Sequence, residues 1–230
     1  MPGLIIVAVV GFIAQLIDGG MGMGYGVISS SLLLTAGIAP AAAAASVQLS
    51  AVGTTLASGV SHWRFGNVDW HVIPRIAVPG ALGAFGGATL LSWLPAQRAL
   101  PWTSGILFAM GGYLLIRFSR HRAAGPAAPA TRVRSALLVP LGLVAGTVTA
   151  MGGGGWGPIA TSTLLASGKL DPKKTVGSVS AAEFAVSSAA GAGFLIGLSG
   201  AIVWPVVIPL LIGGVIAAPM AAWLIRKLPT

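Results

Sequence analysis

Met151-Gly152-Gly153-Gly154-Gly155-Trp156-Gly157-Pro158 is the stretch on which the reading of this chain turns. Four consecutive glycines leave the backbone amides unshielded and let the chain turn with positive φ, so several N–H groups can converge on one anion. Pro158 suits the first turn of a helix beginning just there, where its missing N–H has no intrahelical partner to lose. That helix would point the positive end of its dipole at the break. A diluted copy precedes it in the chain: Asp18-Gly19-Gly20-Met21-Gly22-Met23-Gly24-Tyr25-Gly26. Glycines spaced by four, Gly20 with Gly24 and Gly153 with Gly157, also suit close helix packing, and that plainer use stands beside the anion reading.

Both glycine runs interrupt apolar sequence. Apolar stretches cover roughly 4–17, 25–38, 41–61, 70–94, 101–118, 135–150, 156–168, 174–197 and 201–225. A hydrocarbon core needs about 20 helical residues to cross. The stretches at 41–61, 70–94, 101–118, 174–197 and 201–225 reach or approach that length, whereas 4–17 with 25–38 and 135–150 with 156–168 read as pairs of short or broken helices meeting within the membrane. Such breaks survive at depth only where protein or a wet cavity shields the backbone. Composition agrees: of 230 residues 55% are hydrophobic and 7% charged, against about 25% charged in a soluble domain. The expectation is an all-α polytopic membrane protein.

The net charge of +9 comes from basic residues at the ends of apolar stretches, which fits membrane topology rather than nucleic-acid binding. Alternating the crossings from the N-terminus puts Arg64, Arg75, Arg117, Arg120, Arg122, Arg132, Arg134, Lys169, Lys173, Lys174, Arg226 and Lys227 on one side and Arg98 alone on the other. The positive-inside rule then places the N-terminus outside and the C-terminus in the cytoplasm of a bacterial-type inner membrane. The N-terminal residues lack a basic region and a small-residue cleavage site, so they read as mature protein. His62 and His71 bracket a loop with Trp63, Arg64 and Trp70 and read as interfacial anchors rather than metal ligands. With no cysteine either, neither a metal nor a cofactor is expected.

The proline- and arginine-containing linker at 119–134 divides the chain into 1–118, which carries one extra helix, and 135–230. These halves resemble one another. Gly24-Tyr25-Gly26-Val27-Ile28 aligns with Gly155-Trp156-Gly157-Pro158-Ile159, Leu33-Leu34 with Leu164-Leu165 and Gly37 with Gly168; after a one-residue insertion Pro40 aligns with Pro172 and Ser46-Val47 with Ser178-Val179. An odd number of crossings separates equivalent points, so the copies run in opposite directions. Inverted repeats with discontinuous helices are an architecture of secondary transporters, whose binding site lies near midplane between the copies. Other glycine motifs fail: the run continues with Trp156 instead of Lys-Ser/Thr, and Gly197-Leu198-Ser199-Gly200, an intramembrane-protease-like serine motif, has no histidine after it.

This constellation resembles the TauE/SafE sulfite exporter family, also called the toluene-sulfonate uptake permease family. The likeness runs over nearly the whole chain and is carried by the duplicated glycine breaks, the Leu pairs, and the turns Gly37-Ile38-Ala39-Pro40 and Gly168-Lys169-Leu170-Asp171-Pro172. Two features depart from the pattern: Met21 and Met23 intersperse the first run, and five alanines follow Pro40. The resemblance implies transport of sulfite, sulfonates or related organosulfur anions across the inner membrane, usually outward.

The expected substrate site combines the breaks, Gly20, Gly22, Gly24, Gly152, Gly153, Gly154 and Gly155, with polar residues of the helices that follow. Ser46, Ser50, Thr54 and Ser58 recur every four residues on one face. Gln48 lies on nearly the opposite side from Ser50. Ser178 and Ser180 fall near Glu183, with Ser187 a turn further. Such hydroxyls also bond to their own helix carbonyls. Glu183, about ten residues into an apolar helix, is the candidate for proton coupling or a neutral structural acid. Asp18 is a candidate for gating or for facing external water. A monovalent anion leaving a cell polarised by about 100 mV gains about 2.3 kcal/mol, so uncoupled flow exports and import requires a proton. Rocking of one half against the other is the expected motion. Transport of a carboxylate or a cation, or a scaffold that transports nothing, stays open, as does a homodimer.

Overall fold

A computed structural model describes residues 2–119, 134–198, 200 and 202–227. Among these residues the structure is all helical, without strands: α1 (Pro2–Met21), α2 (Tyr25–Thr35), α3 (Pro40–Arg64), α4 (Val72–Trp93), α5 (Ala96–Ser119), α6 (Ser135–Gly152), a π-helical turn (Gly157–Thr161) running into α7 (Ser162–Ala166), α8 (Pro172–Gly197) and α9 (Trp204–Lys227). The 119–134 linker, except Ser119 and Arg134, and the motif residue Ser199 lie outside the described residues.

Six helices, α1, α4, α5, α6, α8 and α9, are long and apolar enough to cross a membrane. This corrects two expectations. The stretches at 4–17 and 135–150 are not short helices: α1 continues through Asp18-Gly19-Gly20 to Met21, and α6 through Met151 to Gly152. Buried neighbours support helix beyond the point where the apolar run stops. Among the described residues, α2, with 11 residues, and the Gly157–Ala166 segment remain too short to span. α3 has the length, 25 residues, but its polar face keeps it out of the six.

Proline sets the starts of the two longest helices. Pro40 opens α3 and Pro172 opens α8, where the Asp171 carboxylate also accepts from the amides of Lys173 (2.8 Å) and Lys174 (3.3 Å). Arg75, in the first turn of α4, bonds back to the His71 carbonyl at 2.6 Å and to Ser135 at 3.1 Å, which keeps its charge near the helix end.

The helices pack across the halves. α1 lies along α9, α4 along α6 and α8, and α3 along α8 and α9. Exchanging the halves turns the first pair into the second, and the pairing of α3 with α9 into that of α8 with α4. The crossing of α3 and α8 repeats the relation residue by residue: Gly59 faces Ala181, and its equivalent Gly191 faces Leu49, the equivalent of Ala181. At these contacts glycine permits near backbone approach, which drives helix association in lipid. The outer surface is apolar, with Phe108, Leu115 and Leu82 exposed, while Asp18, Gln48, Ser50, Thr54 and His62 are buried inside. Apolar outside and polar inside is the arrangement a bilayer selects.

Candidate functional site

The two breaks adopt the same backbone course. Gly22 and its equivalent Gly153 have φ of 70° and 69°, and Gly24 and its equivalent Gly155 have 138° and 157°. All four are left-handed or mirror-extended values that side chains other than glycine rarely adopt.

The breaks also touch, in a reciprocal way. A methyl group on Gly26 would come within 2.5 Å of Gly154 Cα, and one on Gly157 within 2.5 Å of Met23 Cα, the equivalent contact. Ser30 donates to the Gly153 carbonyl at 2.8 Å, and Thr161 donates to the Gly22 carbonyl at 2.6 Å. The aromatic residue after each break leans on a glycine of the other half, Trp156 on Gly80 and Tyr25 on Gly214. Trp156 Nε1 donates to the Val179 carbonyl at 3.0 Å. Ser50 spends its one proton on the Val47 carbonyl (2.8 Å), so the Tyr25 hydroxyl donates to Ser50 Oγ at 2.7 Å.

Between the breaks lies a cavity of about 10 Å³, room for a single water. Of the expected site residues it is lined by Asp18, Gly24, Gln48, Gly154, Gly155 and Glu183. The others sit elsewhere. Gly20 has open space beside it; Gly22 is backed by Thr161 and Val176, Gly152 by Ile106 and Gly153 by Ser30. Ser46 bonds back to the Ala42 carbonyl (2.7 Å), Ser50 supports Tyr25 from behind, and Ser178 accepts the Asp69 amide (2.7 Å), which ties the α3–α4 loop to α8. Ser180 is buried with no partner for its hydroxyl. Gln48 gives Nε2 to the Thr149 carbonyl (3.3 Å) and leaves Oε1 unpaired. Its position on the cavity while Ser50 points away agrees with their nearly opposite directions on α3.

Asp18 is not at external water. Its carboxylate, 4% exposed, accepts the Tyr25 amide at 3.3 Å, so the chain's own acid occupies the N-terminus of α2. The first-turn amides of Gly26 and Val27 have no carbonyl one turn earlier within the helix. Two carboxyls therefore line one small cavity, and among the described residues no Lys, Arg or His joins them. Sequence reasoning missed Tyr25, Trp156 and Thr149 as lining; the aligned aromatics were visible, but a ring's direction depends on the glycine it packs against. It also misplaced His62, which is fully buried rather than interfacial, whereas Trp63 and Trp70 are exposed and meet edge to face at 6.4 Å. Among the described residues no group of acids and histidines could hold a metal ion.

Comparison with known proteins places this architecture. The profile of the family described as "Sulfite exporter TauE/SafE" matches residues 7–230. "Probable membrane transporter protein YtnM" of Bacillus subtilis is 50% identical over 237 residues, covering 99% of this chain and 76% of that protein. "Probable membrane transporter protein YdhB" of the same organism is 25% identical over 176 residues, covering 76% and 71%. No solved structure matches. With spanning helices, paired glycine breaks and a match along nearly its whole length, the chain belongs to the sulfite exporter TauE/SafE family of multi-pass membrane transporters.

Proposed function

We propose that the chain exports small sulfur oxyanions, sulfite, sulfonates or related organosulfur anions, by alternating access between two inverted repeats at 1–118 and 135–230. The observation that carries this is the reciprocal contact of the two breaks, Ser30 with Gly153 and Thr161 with Gly22, which brings two helix N-termini to one central cavity. The basic residues give the orientation, N-terminus outside and C-terminus cytoplasmic.

A cavity of about 10 Å³ is an occluded state, so the guest enters only when the lining parts. The bodies that part are composites of both halves. Because α1 packs on α9 and α4 on α6, the units are α1 with α3 and α9, and α4 with α6 and α8, rocking across the α3–α8 crossing. This replaces the simpler motion of one half against the other.

Asp18 and Glu183 make the neighbourhood of the guest acidic. An anion fits beside them only when both carry protons, so Glu183 is the residue at which a proton joins the cycle, with Asp18 holding the α2 terminus until the break opens. The same two acids favour a second reading, transport of a cation. A competition panel in proteoliposomes separates them: sulfite, a sulfonate and a carboxylate against monovalent and divalent cations. Inhibition of labelled sulfite flux by sulfonates supports the anion reading, and cation flux without sulfite flux overturns it.

A further inference from the structure

The symmetry of the breaks is not kept by the helices beside them. On α3 the buried residues Ser50, Thr54, Ser58 and His62 follow one another at four-residue spacing, from behind Tyr25 to the last turn. Their equivalents on α8 are Ala182, Val186, Ala190 and Phe194, also buried and all apolar. One side of the central cavity is thus backed by a polar file, and the opposite side by an apolar plug ending in a phenyl ring.

The file is under-bonded. Ser58 Oγ has no partner, nor do the two amide atoms of buried Gln15, one turn before Gly19 on α1. At the far end His62 Nε2 lies 3.2 Å from the Gly19 carbonyl and Nδ1 lies 3.5 Å from Asn67 Nδ2. A carbonyl on one nitrogen and an amide N–H on the other put the ring proton on Nε2 and leave Nδ1 as acceptor. The Gly19 that binds this ring adjoins Asp18. Ionisable groups on the elements packed against α3 are Asp18 on α1, Tyr25 on α2, Arg75 on α4, Arg98, Tyr113 and Arg117 on α5, and Lys173, Lys174 and Glu183 on α8; α6 has none and α9 none before its last turn.

We propose that this file is a hydrated proton path joining the Asp18–Glu183 cavity to the membrane face that carries Asn67 and the α3–α4 loop, with His62 as its relay. A hydronium at the membrane face takes the place of the Asn67 amide at Nδ1 and leaves its proton there as water, and the Nε2 proton lets go of the Gly19 carbonyl and passes to a water on the Ser58 side. Water satisfying Ser58 and Gln15 passes it toward Thr54 and the cavity, each hydroxyl gaining one proton as it gives up another. Neutral polar side chains conduct without holding charge in the core; on α8 the buried Ser187 hydroxyl lies one turn beyond Glu183, but past it Ala190 and Phe194 offer no donor or acceptor on the way to the other face. Proton access is therefore one-sided. This deepens the reading of Glu183 as a coupling acid and rests on it, but does not depend on which anion moves.

The test needs no substrate. The full chain in lipid nanodiscs is switched from water to deuterium oxide, and infrared spectroscopy follows deuteration of the protonated carboxyl band, assigned by its loss in Glu183→Gln and Asp18→Asn. His62→Phe and Ser58→Ala are expected to slow this exchange at least about tenfold. His62→Gln, which can still bond to the Gly19 carbonyl but cannot relay, should be slow as well and serves where His62→Phe misfolds. Exchange at the wild-type rate in both Ser58→Ala and His62→Gln overturns the proposal, and so does the absence of any protonated carboxyl band at acidic pH. Sulfite flux, measured separately on the wild-type protein in liposomes, reports on the substrate reading alone.

Discussion

Ser30 on α2 donates its hydroxyl to the carbonyl of Gly153, 2.8 Å away in the other half of the chain, and Thr161 returns the bond to Gly22 at 2.6 Å. Each glycine carbonyl belongs to a break that has left its helix, so each bond satisfies a backbone group that no water from lipid could reach. Ser30→Ala and Thr161→Val should each lower stability by about 1 kcal/mol. Thermal unfolding in detergent checks this, and equal losses in the two variants are expected from the equivalence of the bonds. A loss confined to one of them would contradict that equivalence.

Contact between the breaks is a matter of missing side chains. A Cβ on Gly154 would overlap the Gly26 carbonyl carbon and the Val27 amide, and one on Gly26 would meet Gly154 and the Gly153 carbonyl, all backbone that cannot step aside. Gly154→Ala and Gly26→Ala should abolish transport and cost about 1–3 kcal/mol. Gly105, on α5, has nothing within 4 Å of its would-be Cβ, so Gly105→Ala is the control that should transport normally.

The chain has no cysteine, which makes cross-linking unambiguous. A Cβ built at Gly59 lies 3.5 Å from that of Ala181, within the range that a disulfide spans. Oxidation of a Gly59→Cys, Ala181→Cys double variant should lock α3 to α8 and stop transport, and reduction should restore it. Undiminished transport after complete cross-linking would show that the two bodies do not move across this crossing.

Glu183→Gln keeps the shape of the side chain and removes its proton chemistry. Wild-type flux in proteoliposomes should respond to an imposed pH gradient, and the variant, in which Asp18 alone must still take up a proton before the anion fits, should respond less steeply. The measurement is labelled sulfite uptake with and without the gradient; an unchanged response in Glu183→Gln would move the coupling to another group.

Much of this was legible in the sequence because it rests on local chemistry. Glycine runs and prolines marked both breaks, and the aligned halves anticipated that Gly26 and Gly157 do the same work. Hydropathy misjudged α1 and α6, since helix continues through Asp18-Gly19-Gly20 and Met151-Gly152, where neighbouring helices bury Asp18, Gly19 and Gly152. The serines were harder. Ser46 satisfies itself on Ala42, Ser178 holds the Asp69 amide, and only Gln48 of the expected polar side chains on α3 reaches the cavity, because the partner across each interface decides where a hydroxyl points. His62 looked interfacial from its Trp63 and Arg64 neighbours, but the Gly19 carbonyl draws it inward.

The most direct test is counterflow. Proteoliposomes loaded with unlabelled sulfite are placed in labelled sulfite, and uptake is followed for the wild type, Gly105→Ala and Gly154→Ala. A small sulfur anion held between the two breaks predicts saturable uptake by the first two, inhibited by sulfonates, and none by the third. Folded wild-type protein that takes up no more sulfite than protein-free liposomes would contradict it.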